Sequence, residues 1–375
     1  MAIRLQREIL PQNRGYCRWF LWTAALVSWT LTGCIQEKAS AYWQLSDHQQ
    51  VHTLDSAIAA VAIVEDAQDA FFERINKLDM SLQLKQQLPD TVSREEVLAV
   101  YREALRREVS DFTGEEQQML YDIMAEIAPL CQQLSPALLP PVLNLIKIKG
   151  HLYGPGVYFT REHSIIIPAD QLSAGNREVL MRILLHEIFH VYSRYHPRQR
   201  EKLYALIGFR ALGADSLVES DSLKMRRLLN PDGVNCAYAI RLRTPWGRWV
   251  EAVPLLYAEE LHYNDAKKSY GEYLKFNLFR TQQLDDGSYA VISTQSGLPP
   301  FSLLKETDLY QQIGDNTTYI IHPDEIMADN IALLALSKSG REQYHPSRLS
   351  ERGRRLQRDI YRVLRADTRA KKSIN

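Results

Sequence analysis

The chain reads as an α+β protein: helices fill its first third, short strands surround a histidine-bearing helix in the middle, and a strand-rich stretch precedes the last two helices. Three observations carry that reading. Apolar residues recur at helical spacing to about residue 135. They alternate from Val142 to Lys149, which is strand spacing. Helical spacing then returns in Val179, Leu180, Ile183, Leu184 and Phe189, within the segment that holds His186-Glu187-Ile188-Phe189-His190.

Residues 1–33 have the pattern of a bacterial export signal. Arg4, Arg7, Arg14 and Arg18 precede an apolar run from Trp19 to Leu31 that is too short to span a bilayer stably. The run ends in Leu31-Thr32-Gly33-Cys34, which resembles the lipobox of bacterial lipoproteins. The resemblance implies a lipid on Cys34, which becomes the first mature residue. In the Gram-negative sorting pattern an aspartate after that cysteine favours the inner membrane. Ile35 therefore points to the outer membrane, with the protein facing the periplasm.

The signal contains four arginines and Glu8, so its removal turns 45 basic and 45 acidic residues into 41 and 44. That near-neutral balance gives no electrostatic footprint for nucleic acid. The 342 remaining residues are ample for a buried core, in one large domain or two unequal lobes. Cys131 and Cys236 are left as either a periplasmic disulfide or two buried thiols.

Residues 34–46 are expected to be a tether and 47–139 a helical scaffold. Its apolar positions are Leu54, Ile58, Val61 and Ile63, then Val97, Tyr101 and Leu105, then Met119, Ile123 and Ile127. Thr113 with Glu115 and Glu116 forms a helix-opening signal. Pro140-Pro141 ends this part. Val142–Lys149, Val157–Thr160 and Ser164–Pro168 follow as strand candidates. Ser164–Ile167, with Pro168 blocking further pairing, is the candidate edge strand on which an extended peptide could lie.

In a helix His186 and His190 fall one turn apart on the same face, so both imidazoles can bind one metal ion, with Glu187 beside them. Neutral imidazole is a good zinc ligand, and a carboxylate next to a metal-activated water can take its proton. A helical H-E-x-x-H therefore reads as a metallopeptidase site. Asn176 is the expected N-cap, and Pro197 ends the helix.

A third ligand decides the class. His196 stands ten residues after His186, the spacing of the metzincin H-E-x-x-H-x-x-G-x-x-H, but Ser193 occupies the position of the turning glycine. The alternative lies in His322-Pro323-Asp324-Glu325-Ile326-Met327-Ala328-Asp329. Pro323 suits a first helical position, and Glu325 and Asp329 share one helix face. This pattern resembles the E-x-x-x-D of gluzincin metallopeptidases and is favoured over His196. The resemblance implies a zincin-like core: a small sheet with an edge strand, the H-E-x-x-H helix and a glutamate-bearing helix. It further implies Zn2+ held by His186, His190 and Glu325, with Asp329 orienting His186 and Glu187 as general base. A peptide or protein would be the substrate. The rival class is a non-catalytic envelope lipoprotein with a structural metal or none.

Residues 198–230 are expected to be helical through Leu203, Leu206, Ile207, Leu223, Leu228 and Leu229. From 231 to 318 the pattern is strand-like: Ala237–Leu242, Trp249–Tyr257, Glu272–Gln282 and Ser288–Thr294, with Asp285-Asp286-Gly287 as a hairpin turn. This β-rich insertion is expected to cover the cleft. Its tyrosines and His262, and also Tyr319, are candidates to stabilise an oxyanion, because gluzincins use a Tyr or His for this. After the 319–345 helix, residues 346–375 read as a basic amphipathic helix. Arg341–Lys372 holds eleven basic residues against four acidic ones. A docked apolar side with a solvated basic face is the first reading, and contact with anionic lipid the second.

Overall fold

The computed structural model describes residues 40–213, 216–232, 237–304 and 307–372; the signal segment, Cys34 and Cys236 lie outside them. The first sheet comprises β1 (Ala41–Ser46), β2 (Gln49–Thr53), β3 (Val109–Ser110), β4 (Val142–Ile148), β5 (Phe159–Arg161) and β6 (Ser164–Pro168). Their order is β1-β2-β4-β6-β5, with β3 also on β4. Strands β2, β4 and β6 run parallel, while β1 and β5 pair antiparallel at the two ends.

Helices lie on both faces of this sheet, and the alternation along its strands explains why. Leu143 and Leu145 of β4 and Ile165 and Ile167 of β6 pack into one cluster with α5 (Gly114–Leu134) and α6 (Arg177–Tyr195). Ile146, Ile148 and Ile166 point the other way. They meet α1 (Ser56–Ala62), α2 (Phe71–Arg74), α3 (Lys77–Leu84) and α4 (Arg94–Glu108). A strand covered on both faces needs a continuous apolar run, which is what the isoleucines of β6 supply.

That arrangement overturns the edge assignment. Ser164–Pro168 is fully buried and paired on both sides, to β4 and to β5; the edge is β5. The tether reading also fails over 41–46, where β1 joins the sheet, and 49–53 is strand rather than helix. In α1 the buried residues are Ala59 and Ala62, while Ile58 and Val61 face solvent.

The second sheet comprises β7 (Phe209–Ala211), β8 (Leu217–Val218), β9 (Arg227–Leu228), β10 (Tyr238–Arg243), β11 (Trp249–Tyr257), β12 (Lys275–Gln283) and β13 (Tyr289–Val291). Its order is β7-β10-β11-β12-β13-β8, with β9 on β11. The β12–β13 hairpin turns at Gly287, whose φ is 85°. Among the described residues of 198–230 only α7 (Pro197–Ala205) and α8 (Asp221–Arg226) are helical, because short strands interrupt the rest. Phe209, Tyr238, Ile240 and Leu242 of this sheet share a core with Leu203 and Tyr204 of α7.

After α9 (Leu309–Ile313), α10 (Pro323–Leu336) packs along α6, and α11 (Glu351–Lys372) docks through Leu356, Ile360 and Leu364. Arg355 and Arg362 on its other side are largely exposed, as expected for a docked amphipathic helix. The described residues belong to one compact unit. Among the described residues no helix is long and apolar enough to cross a membrane.

Candidate metal centre

Helix α6 runs through the middle of the molecule, and every residue from Leu184 to Arg194 is buried. Asn176 stands at its N-cap position, but the side chain bonds to the Gln171 carbonyl and makes no cap bond. Helix α10 starts as the sequence suggested, with Pro323 in its first turn and the His322 ring accepting the Asp324 N–H at 3.1 Å. Packing α10 against α6 brings residues from the two helices to one point.

At that point Glu325 Oε2 lies 3.0 Å from His186 Nε2 and 3.3 Å from His190 Nε2. The first contact is a hydrogen bond. The second is close but misaligned, so His190 Nε2 is buried with no hydrogen-bond partner. The outer nitrogens face carboxylates. His186 Nδ1 donates to Asp329 Oδ1 at 3.1 Å and His190 Nδ1 to Asp324 Oδ2 at 2.7 Å. Each carboxylate is itself held: Asp329 by Arg182 and the Thr317 hydroxyl, Asp324 by the Tyr204 hydroxyl. Asn230 donates from Nδ2 to Glu325 Oε1.

Electrostatics follows from this crowding. Burial works against a charged His186, but the bonds to Asp329 and Glu325 outweigh it and raise its pKa to about 9. His190 is raised well above the usual imidazole value against the same burial, through the charges of Glu325 and Asp324. Burial would raise Glu325 too, yet His190 and His186 hold it well below the carboxylate range. At Glu187 the same two imidazoles pull the pKa down but are outweighed. Burial, then the neighbouring Asp232 charge, pushes it up to about 8, and its Oε2 is buried without a hydrogen bond.

A cleft of about 440 Å³ opens on this cluster. Gly156, Val157 and Tyr158 form one wall, Arg182 and Ile183 of α6 another, and Asp232, Thr318 and Tyr319 the rest. Tyr319 stacks over the His186 ring at 6.1 Å. The nearby Glu325 charge raises its phenol well above the usual value. The Tyr158 hydroxyl is buried with no hydrogen bond.

The donor set fits a small divalent cation. Bonds of about 2.0–2.1 Å in a tetrahedron separate neighbouring donor atoms by roughly 3.3 Å. The two imidazole–Glu325 separations are of that size. His186, Glu187 and His190 form one group able to hold an ion, and His190, Asp232 and Glu325 form another that shares His190. Two imidazoles thus face five carboxylates, those of Glu187, Asp232, Asp324, Glu325 and Asp329, an imbalance that a dication offsets.

Several sequence candidates lie elsewhere. His196 bonds through Nδ1 to the Tyr192 carbonyl and stacks on the Tyr192 ring, beside a separate cavity with His48 and His163. It joins no metal-capable group among the described residues. His262 lines another cavity beside Asn76 and Leu261. The strands of the second sheet do not line the cleft: among the described residues of 231–318 only Asp232 and Thr318 do. Cys131 is a free thiol, buried in α5, and burial pushes it up to about 12.

Asp324, Asn230 and Asp232 went unseen in the sequence. Asp324 is adjacent to Glu325 and so shares no helical spacing with it. Asn230 and Asp232 fall in an Asn-Pro-Asp-Gly turn signal that says nothing of what it will touch.

Fold and site define a mixed α+β protein with a buried histidine–carboxylate centre at the foot of a cleft. No family model, curated protein or solved structure matches the chain.

Proposed function

We propose that this chain is a zinc-dependent peptidase of gluzincin type with a zincin-like core, held at the bacterial envelope by lipid on Cys34. The observation that carries the reading is the position of Glu325. From 139 residues away in sequence it places one oxygen between the two imidazoles of the H-E-x-x-H helix, at the foot of an open cleft.

A bound zinc ion would polarise the scissile carbonyl and acidify a water beside it. His186, His190 and Glu325 would hold that ion. Asp329 and Asp324 keep the two Nδ1 atoms protonated, which turns each Nε2 lone pair inward and fixes ring orientation. Glu187 would take the proton from that water and later deliver it to the leaving amine, a role that its position beside both imidazoles at the foot of the cleft allows. Tyr319, in the cleft wall beside His186, is the candidate to stabilise an oxyanion.

The test is Glu187→Gln. Zinc content should stay at the wild-type level while cleavage of a mixed peptide library disappears. Full peptidase activity in that variant refutes the proposal.

One observation favours the rival reading, a non-catalytic lipoprotein with a structural metal. Asp232 offers a further carboxylate within 4.8 Å of His190 and Glu325, and structural zinc sites close their coordination with a fourth protein ligand. Wild-type protein that binds zinc but cleaves nothing in the library would favour this second reading.

A further inference from the structure

The segment between β9 and β10 crosses the centre at Asn230–Asp232. Asn230 is tied to Glu325. The Asp232 carboxylate lies within 4.8 Å of ligand atoms on both His190 and Glu325. Its Oδ1 also accepts two bonds from β5, the Thr160 backbone N–H and, at 2.8 Å, the Thr160 hydroxyl.

Thr160 faces Ile165 across the β5–β6 pair, and its N–H turns outward from the sheet to Asp232. β5 is the last strand of its sheet, so that N–H belongs to the row an added strand would use, but Phe159, Thr160 and Arg161 are all buried and the row is covered, at Thr160 by Asp232 itself. Arg194 braces the arrangement from inside: buried on α6, it donates to Thr160 Oγ1 and to the Glu162 carbonyl, both at 2.9 Å, and pairs with Asp69. One carboxylate thus touches both the metal-binding groups and the pairing edge.

We propose that Asp232 is a fourth, displaceable metal ligand. In the resting protein it fills the corner that the hydrolytic water needs. An extended peptide that pairs with β5 competes for the Thr160 N–H and so releases Asp232 from the edge and from the centre together. The inference rests on the zinc reading above and adds to it that the site is closed by default and opened by the chain it is to cut. In this step the Asp232–metal bond would be exchanged for a water–metal bond, a peptide carbonyl would replace the carboxylate as acceptor of the Thr160 N–H, and the freed carboxylate would be solvated.

The test uses the full chain, freed of metal and reloaded with Zn2+ or Co2+, in wild type and in Asp232→Asn, whose amide oxygen can still accept the Thr160 bonds. In the variant, Zn2+ affinity measured against a chromophoric chelator should fall at least about tenfold. The visible Co2+ spectrum should change, and turnover of a short peptide per bound metal should rise. In wild type, azide should leave the Co2+ spectrum unaltered without peptide and shift it with peptide present, a readout that needs no variant. Equal affinity and an identical spectrum in the two proteins overturn the Asp232 assignment and leave the zinc reading standing. A changed spectrum with lower turnover, or an azide shift in resting wild type, overturns the displaceable closure. Failure of the wild type to bind either metal refutes the zinc reading itself.

Discussion

Replacing Asp324 with asparagine tests whether the carboxylates behind the imidazoles support a metal centre. Asp324 is 2 % exposed, its Oδ2 lies 2.7 Å from His190 Nδ1, and its other oxygen takes the Tyr204 hydroxyl. An asparagine keeps the shape and can still accept the imidazole N–H, but it removes the negative charge. A charge-assisted hydrogen bond is worth about 1.5–3 kcal/mol, and in a site this dry the upper half of that range applies. Zinc affinity should therefore drop by roughly 45- to 160-fold. Asp329 is a gentler case, because Arg182 and Thr317 share its carboxylate and its side chain keeps some contact with solvent. Asp329→Asn should cost about tenfold. Competition titration against a chromophoric chelator, with circular dichroism as a check on folding, reads both. Unchanged affinity in Asp324→Asn, or a larger loss in Asp329→Asn, would refute the reasoning.

Four further outcomes are expected. Zinc binds neutral imidazole, and in the metal-free protein His186 holds its proton up to about pH 9 while His190 is also raised well above the usual value, so apparent zinc affinity should rise by more than one tenfold step per pH unit between 6.5 and 9. The sign for stability runs the other way: a raised imidazole pKa stabilises the metal-free fold fully below pH 6.5, and this contribution is lost as pH rises through 9. The Tm of chelator-treated protein should accordingly fall across that window more than that of the zinc-loaded form. Gly297 has φ +80° and a Cβ there would sit 2.5 Å from the Ser222 carbonyl, so Gly297→Ala should destabilise by about 2 kcal/mol or more, read by denaturant titration. Glu187→Gln should leave the Tm unchanged or raise it, since it removes a buried ionisable group whose Oε2 has no partner.

Legibility of the sequence divides by range. Local signals carried well: the Thr113–Glu116 capping box, Pro323 in the first turn of α10 and the Gly287 hairpin are settled within a few residues, and each occurs as read. The pairing of His186 and His190 on one face is also local, because it depends only on helix pitch. Strand order is not. The isoleucines of β6 looked alike whether edge or interior, and only the later return of β5 against them decides which. Residues 41–46 misled by composition; Tyr42 and Gln44 are exposed while Trp43 and Leu45 are half-buried, a period of two that a polar stretch after a cysteine hid.

Within the centre the same division holds, and it bears on what the centre is for. Glu325 and Asp329 were legible because they sit one turn apart in a recognisable pattern, whereas Asp232 reaches the site only through the path of the second sheet. Four side chains that merely close a metal site would leave Glu187 without purpose. Its carboxyl is 4 % exposed, raised by burial, and carries an oxygen with no hydrogen bond. Such a group is a standing cost to the fold, and a buried unsatisfied carboxyl is kept where chemistry uses it. Asp232 and Glu187 thus pull the interpretation in opposite directions only if both act at once. If Asp232 leaves when a peptide takes the Thr160 N–H, a position opens in the cleft that Glu187 also lines, and closed coordination and a waiting base become two states of one site.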